Sequence, residues 1–113
     1  MQFLTHLFDG RYIYIGSNVS GYLVRYDTMA PFNSNTAYTV FLTTNLGVNI
    51  NDFRNGMYDG SRYLYMYSVG AGKIIRYDTR ASFTLIGSHE TYISSAGSGG
   101  MVTDGRYIYF YKF

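Results

Sequence analysis

Three copies of one short phrase in a chain of 113 residues constrain the fold more than any other feature. The phrase reads DGRYIY at 9–14, DGSRYLY at 59–65 and DGRYIY at 104–109. A second phrase, RYDT, occurs at 25–28 and 76–79 and follows the first at nearly the same distance in both copies. Two phrases in a fixed order at a fixed offset indicate an internal duplication, so the chain is predicted to repeat one structural unit.

Each unit reads as a series of short β-strands separated by turn residues. Asp-Gly is predicted to form a type I′ hairpin turn, because glycine and, tolerably, aspartate accept a positive φ. One strand precedes this turn, an alternating strand follows it, a third strand ends in RYD, and a fourth completes the unit. The predicted strands are 3–8, 11–16, 22–27 and 37–44 in the first unit, 53–58, 62–67, 73–78 and 83–88 (with or without a continuation through ETYIS) in the second, and 99–103 and 106–113 in the third.

The strand after each Asp-Gly pair alternates tyrosine with another apolar residue, so both faces of the sheet carry groups that can be buried. An ordinary two-layer sheet has one polar face instead. We therefore predict an all-β fold of antiparallel four-stranded repeat units of the β-propeller-blade type, about two and a half blades per chain. The chain is treated as a single repeat domain over 1–113, with unit 1 at about 3–50, unit 2 at about 51–95 and a half unit at 96–113.

The repeat DGRYIYF…G…RYDT…F resembles that of a family of bacterial and viral β-propeller-like proteins, most of them without an assigned function. The resemblance extends over nearly the whole chain. It implies a propeller-type fold and no particular activity. Members of such families often carry a tryptophan in the fourth strand, and this chain has none, so packing at that strand must differ.

The net charge, the cysteine count and the length of the apolar runs limit which binding partners and cellular compartments we expect. A net charge of +2 gives no indication of a nucleic-acid partner, and the absence of cysteine excludes disulfides and thiolate chemistry. No apolar run approaches the roughly 18 residues of a membrane span, and the first ten residues do not read as a signal peptide. The 14 tyrosines favour strands and half-exposed surfaces. The compartment stays undetermined, with an extracellular or virion-associated location favoured over the cytoplasm.

The ionisable residues mostly occupy repeated positions, which favours structural roles. Each repeated Asp can accept turn N–H groups or pair with a neighbouring Arg; the competing interpretation is one ligand pocket per blade. His6 and His89 are far apart in sequence, and Glu90 is the only glutamate. We assign no catalytic residue, no metal ligand and no cofactor, and we predict that the chain is not an enzyme.

A lectin-like, carbohydrate-binding module is the alternative function. The segment around the first fourth strand is rich in Asn and Thr, whose side chains can bond sugar hydroxyls beside an aromatic ring. The candidate ligand-binding residues are Asn45, Asn49 and Tyr38, together with the repeated Arg25 and Arg76. The competing interpretation of the Asn-rich segment is a solvated loop with Asn in turns.

Two and a half blades would leave a tyrosine face, an aliphatic face and strand edges uncovered. We therefore predict a structural, self-assembling module whose copies associate head to tail into a ring or a filament. The partners are then copies of the chain, or carbohydrate in the alternative, with no nucleic acid and no membrane span. The predicted assembly faces carry Tyr12, Tyr14, Tyr107, Tyr109, Phe110 and Tyr111.

Overall fold

Ten β-strands account for nearly all of the regular structure in a computed structural model, which describes residues 3–17, 21–46, 53–69, 72–93 and 100–111. The strands are β1 Phe3–Phe8, β2 Tyr12–Ser17, β3 Tyr22–Asp27, β4 Tyr38–Leu42, β5 Phe53–Tyr58, β6 Tyr63–Ser68, β7 Lys73–Asp78, β8 His89–Ile93, β9 Gly100–Thr103 and β10 Ile108–Tyr111. Three short 3-10 helices lie at Asn35–Ala37, Thr43–Leu46 and Ile86–Ser88. The prediction of an all-β chain is confirmed.

The strands form three antiparallel sheets in chain order. Sheet 1 has the order β1-β2-β3-β4, sheet 2 has the order β5-β6-β7-β8, and β9 pairs with β10 in a two-stranded hairpin. The two four-stranded antiparallel sheets agree with the prediction. The first strands of the three sheets lie next to one another, β1 beside β5 and β5 beside β9, although each belongs to a different sheet.

Most strand boundaries fall within one or two residues of the predicted ones. The first and third strands of both complete units coincide with the predictions, while β2 and β6 each begin one residue late because Arg11 and Arg62 belong to the turns. β4 is shorter than the predicted 37–44, since a 3-10 turn begins at Thr43. In the third unit, β10 begins two residues later than predicted, at Ile108, and residues 99, 112 and 113 of the predicted strands lie outside the described residues.

The predicted fourth strand of unit 2 is wrong over 83–88 and correct in its possible continuation through ETYIS. This segment is a loop that ends in the 3-10 turn Ile86–Ser88, and the strand that pairs with β7 is His89–Ile93. Phe83 and Leu85 are two residues apart, as apolar residues on one face of a strand would be. In the loop, however, Phe83 is buried and Leu85 is exposed.

The Asp-Gly pair is not the central pair of its turn, which corrects the type I′ prediction. The Asp9 N–H donates to the Tyr12 carbonyl at 3.2 Å, so Gly10 and Arg11 lie between them. Gly10 has the positive φ, 104°. The Asp9 carboxylate accepts the backbone N–H groups of Arg11 and Tyr12 at 2.9 and 2.7 Å. The turn therefore needs aspartate for its carboxylate, which accepts hydrogen bonds from the backbone N–H groups of the turn.

The main core lies between sheet 1 and sheet 2. It contains Tyr14, Leu23 and Phe41 from sheet 1, Phe53, Leu64, Met66, Ile75 and Tyr77 from sheet 2, and Phe83 from the loop before β8. The sheets approach closely at a glycine: a Cβ on Gly16 would lie 2.9 Å from the Cβ of Phe53. Side chains of both sheets therefore interdigitate in one apolar layer.

Candidate functional site

The two repeated phrases interlock within each complete unit. In unit 1, Arg11 donates through Nε and Nη2 to the two carboxylate oxygens of Asp27 at 3.1 and 2.9 Å. The hydroxyl of Thr28 donates to the Arg11 carbonyl at 2.5 Å. A bidentate pair of this kind fixes geometry as well as charge. DGR and RYDT therefore recur together because the arginine of the first phrase pairs with the aspartate of the second.

Unit 2 repeats this arrangement with Arg62 and Asp78. The guanidinium donates to both carboxylate oxygens at 3.0 and 2.7 Å, and Thr79 caps the Arg62 carbonyl. The Arg62 guanidinium lowers the pKa of Asp78 to about 2. The predicted pairing of a repeated Asp with a neighbouring Arg is confirmed in both complete units.

The third Asp-Gly turn uses its aspartate in the same way. Asp104 accepts the N–H groups of Arg106 and Tyr107 at 2.9 and 2.8 Å and the Tyr109 hydroxyl at 2.7 Å. Of these donors, the Tyr107 N–H contributes most to lowering the pKa of Asp104 to about 2. The matching bond in unit 1 joins the Tyr14 hydroxyl to Asp9 at 2.8 Å.

The inner face of sheet 1 is a cluster of rings around Arg25. The guanidinium carbon of Arg25 lies 4.2 Å from the Tyr12 ring centre and 4.8 Å from that of Phe83. Phe83 also lies 5.8 Å from Tyr14 and 6.1 Å from Phe41, between ring centres. We call the part of sheet 1 formed by Tyr14, Arg25 and Phe41 the socket. Phe83 fills it and is only 1% exposed.

His89 completes this interface from sheet 2. Its ring stacks on Phe41 at 3.9 Å and on Tyr77 at 4.8 Å, between ring centres. Its Nε2 lies 2.8 Å from the Phe83 carbonyl, and among the described residues no group hydrogen-bonds to its buried Nδ1. Burial lowers the pKa of His89. This histidine is therefore a neutral core residue, with Nε2 as the protonated nitrogen.

The outer face of sheet 1 is apolar and exposed. Strand register places ten described side chains on this face, none of them Asp, Glu, Lys or Arg: His6, Phe8, Ile13, Ile15, Tyr22, Val24, Tyr26, Tyr38, Val40 and Leu42. Five of its large side chains are exposed, namely Phe8, Tyr22, Tyr38, Val40 and Leu42. An exposed apolar face of this extent is typical of an interaction surface.

The outer face of sheet 2 carries the second copy of the socket. An offset of 51 residues separates the two RYDT phrases. The same offset relates Tyr14, Leu23, Arg25 and Phe41 of the covered face to Tyr65, Ile74, Arg76 and Tyr92. All four of the latter line a groove of about 390 Å³, together with Glu90, Thr91 and Ile108. Arg76 bonds to Glu90 at 2.5 Å in this groove.

The hairpin β9–β10 covers the other half of this face. β9 lies beside β5, and Ile108 of β10 borders the groove. On the hairpin's far side, Val102, Tyr107 and Tyr109 are each at least half exposed. The hairpin therefore leaves the β7–β8 half of the tyrosine face of sheet 2 open.

The five predicted ligand-binding residues do not form one site among the described residues. Tyr38 begins β4 on the outer face of sheet 1, and Asn45 follows the other end of that strand. Arg25 lies on the opposite, inner face, and Arg76 lies in the groove of sheet 2. Asn49 lies outside the described residues.

The six predicted assembly residues divide between the inside and the outside of the chain. Tyr12 and Tyr14 lie on the inner face of sheet 1, which sheet 2 covers, and Tyr14 is 1% exposed. Their face is therefore covered by sheet 2 of the same chain and does not face a second copy. Tyr107 and Tyr109 are exposed on the hairpin. The side chains of Phe110 and Tyr111 lie outside the described part.

Sequence reasoning missed the loop phenylalanines Phe32 and Phe83. Each follows the Asp of RYDT by five residues, so the register of the duplication could have paired them. Phe83 is buried in the socket, whereas Phe32 is 82% exposed.

Searches of protein-family models, curated proteins and solved structures found no match to this chain. In the described parts of the chain no helix has the length and hydropathy needed for a membrane crossing. Nor do the described His, Asp and Glu side chains group in threes or more in a way that could hold a metal ion.

Proposed function

We propose that this chain is a non-enzymatic structural module of β-propeller-blade units whose copies associate head to tail. The observation that carries the proposal is the match between its two outer faces. Each outer face has a counterpart, 51 residues away in sequence, that is covered within the chain. The outer face of sheet 1 corresponds to the covered face of sheet 2. The outer face of sheet 2 corresponds to the covered face of sheet 1. Stacking a second copy would repeat the interface that the chain already contains.

The arrangement of the sheets supports the blade assignment. Each complete unit is a four-stranded meander, and the first strands of successive units lie beside one another. Propeller blades pack in this way, with their first strands around a central axis. The resemblance of the DGRYIY…RYDT repeat to β-propeller-like proteins supports the same assignment. Head-to-tail contacts close into a ring or continue as a filament, depending on the rotation between copies.

The size of the uncovered surface favours association over a free monomer. Apolar burial contributes roughly 25 cal/mol for each Å² removed from water, so a face with several exposed large side chains has a strong driving force for association. No described strand pairs with the outer edges of β4 and β8, which adds backbone groups that a second copy could pair with.

Sedimentation velocity over a range of concentrations tests the proposal. We expect species heavier than the 12.9 kDa chain to increase with concentration. A single 12.9 kDa species at every concentration would contradict self-association. Electron microscopy of the heavier species then distinguishes rings from filaments.

A substitution on the outer face of sheet 1 sharpens this test. Val40→Lys places a charge on the apolar face, in the middle of the edge strand β4, where Val40 is exposed in the single chain, and should weaken association. The matched control is Ser61→Lys, which adds the same charge in an exposed turn away from both faces. Equal association of the two variants would show that this face is not the contact.

A lectin-like module is a second candidate, favoured by the groove itself. Tyr65 and Tyr92 line it beside the ion pair of Arg76 and Glu90, a combination that offers aromatic rings and hydrogen-bonding groups to a sugar. A glycan array probed with the wild-type chain and with Tyr92→Ala tests this. Binding that Tyr92→Ala abolishes would support the lectin function, and an array without any binding would count against it.

A further inference from the structure

We infer that Phe32 of one copy inserts into the groove of sheet 2 in the next copy and anchors the head-to-tail contact. This inference rests on the proposed self-association and names the residues that make it. Phe32 is the unit 1 counterpart of Phe83, at the offset of 51 residues. Its side chain is 82% exposed, whereas that of Phe83 is 1% exposed.

The groove has the lining that Phe83 meets inside the chain. Phe83 packs on Tyr14, Arg25 and Phe41, with 4.8 Å between its ring centre and the Arg25 guanidinium carbon. The counterparts of these three residues, Tyr65, Arg76 and Tyr92, all line the groove.

Arg76 also stacks on a tyrosine ring as Arg25 does, and it pairs in addition with Glu90. Its guanidinium carbon lies 4.4 Å from the Tyr63 ring centre, as that of Arg25 lies 4.2 Å from Tyr12. A phenylalanine ring arriving from another copy would contact the open face of this guanidinium.

The groove is large enough for the ring. It has a volume of about 390 Å³, whereas an apolar cavity of roughly 150 Å³ is known to admit benzene. The copy that supplies Phe32 also presents an apolar surface, since its Tyr38, Val40 and Leu42 of β4 lie on the outer face of sheet 1. The occupant is therefore sheet 1 of a second copy, led by its 28–34 loop.

Docking of the whole sheet requires the hairpin β9–β10 to leave its place. Within the chain, β5 and β6 cover β1 and β2, as the contacts of Phe53 with Gly16 and of Leu7 with Gly56 show. By the same geometry, β1 and β2 of a second copy would cover β5 and β6, where the hairpin lies. A two-stranded hairpin is only marginally stable by itself, so it acts as a displaceable competitor.

Single substitutions test the anchor by sedimentation equilibrium. Burying a phenylalanine side chain corresponds to roughly a ten- to hundredfold change in dissociation constant, so Phe32→Ala should weaken association by that factor. Leu85→Ala is the matched control, because Leu85 is an exposed apolar residue of the equivalent loop outside the groove. Wild-type association that Phe32→Ala leaves unchanged would overturn the anchor while leaving self-association intact, and a monomeric wild type would overturn both.

A mixing experiment tests the head-to-tail pairing of these residues. Phe32→Ala removes the anchor and keeps the groove, and Tyr92→Asp alters the groove and keeps the anchor. Both residues are largely exposed, so both variants should fold. At a protein concentration above the dissociation constant of the wild type and below those of the variants, each variant alone should be monomeric, and an equimolar mixture should form a one-to-one dimer that grows no further. A mixture that stays monomeric although the wild type associates would overturn the pairing.

The role of the hairpin is tested with Met101→Asp. Met101 lies on the same face of the hairpin as Ile108, which borders the groove, so a charge there weakens the hairpin's attachment to sheet 2. We expect this variant to associate more strongly than the wild type. Unchanged or weaker association would show that the hairpin is not a competitor.

Discussion

The inner face of sheet 1 and the outer face of sheet 2 are built from the same set of residues and lie in different surroundings. Tyr14, Arg25 and Phe41 on the first face are covered by Phe83 and His89. Their counterparts on the second face line an open groove, and Tyr92, in the place of Phe41, is exposed. The difference comes from the neighbour: sheet 1 has a complete sheet over this face, whereas in the described part of the chain sheet 2 has the hairpin β9–β10.

The comparison shows that a repeat fixes the chemistry of a face without fixing its burial. A tyrosine–arginine face is a core element when the next unit supplies a complete sheet and an interaction surface when it does not. The same holds for Phe83 and Phe32, which occupy equal positions after RYDT. Substitutions at paired positions should therefore have unequal effects on the stability of the single chain.

The largest expected difference is between the two phenylalanines. Phe83→Ala should lower the free energy of unfolding by about 3–5 kcal/mol, because it empties a fully buried site between the sheets. Phe32→Ala should change it by less than about 0.5 kcal/mol in the monomer, since the side chain is exposed. Urea denaturation at a concentration where the chain is monomeric measures both. Equal losses would contradict the assignment of Phe83 as the buried partner.

A smaller effect is expected from filling the space where the sheets approach. Gly16→Ala places a Cβ 2.9 Å from that of Phe53, and overpacking of this kind costs about 1–3 kcal/mol of folding free energy. In Gly87→Ala, the control, the added methyl group meets no described atom within 4 Å. Thermal denaturation of the two variants checks the prediction, and a neutral Gly16→Ala would mean that the sheets are not packed this closely.

Protonation of His89 should have the smallest effect, and it should be confined to acid pH. Burial lowers the pKa of His89 below its ordinary value of 6.5. The unfolded state therefore binds the proton first, and stability falls as pH drops below about 6.5, by at most about 1.4 kcal/mol per pH unit.

Unfolding free energies measured between pH 7 and pH 5 test this dependence. His89→Phe should flatten the profile across that window. A wild-type profile that is already flat would show that His89 is not held neutral by burial.

Much of the strand structure could be predicted from the chain alone. Alternation and turn residues predict β1, β3, β5 and β7 to the residue, because these strands are short, regular and bounded by turns. The same pattern was misleading at 83–88, where Phe83 is apolar because it fills a socket in another sheet. Local periodicity does not distinguish a residue that packs within its own sheet from one that packs on a neighbour.

The candidate site was harder to predict. Asn45, Tyr38 and Arg25 are close in sequence, and yet strand alternation and the length of β4 place them on different faces and at different ends. The groove combines β6, β7, β8 and β10, and no short stretch of sequence contains such a set. Its residues could be found only by carrying the covered face of sheet 1 forward by the repeat offset.

The sequence by itself determined the repeat, most of the strands and the expectation that a repeated Asp pairs with a neighbouring Arg, because these depend on contacts within one meander. Only the tertiary structure decided which tyrosine face is buried and which is open, since burial depends on what lies across the face. For the same reason it alone distinguished Phe83, enclosed between two sheets, from Phe32, which has the same position in its unit and an exposed ring.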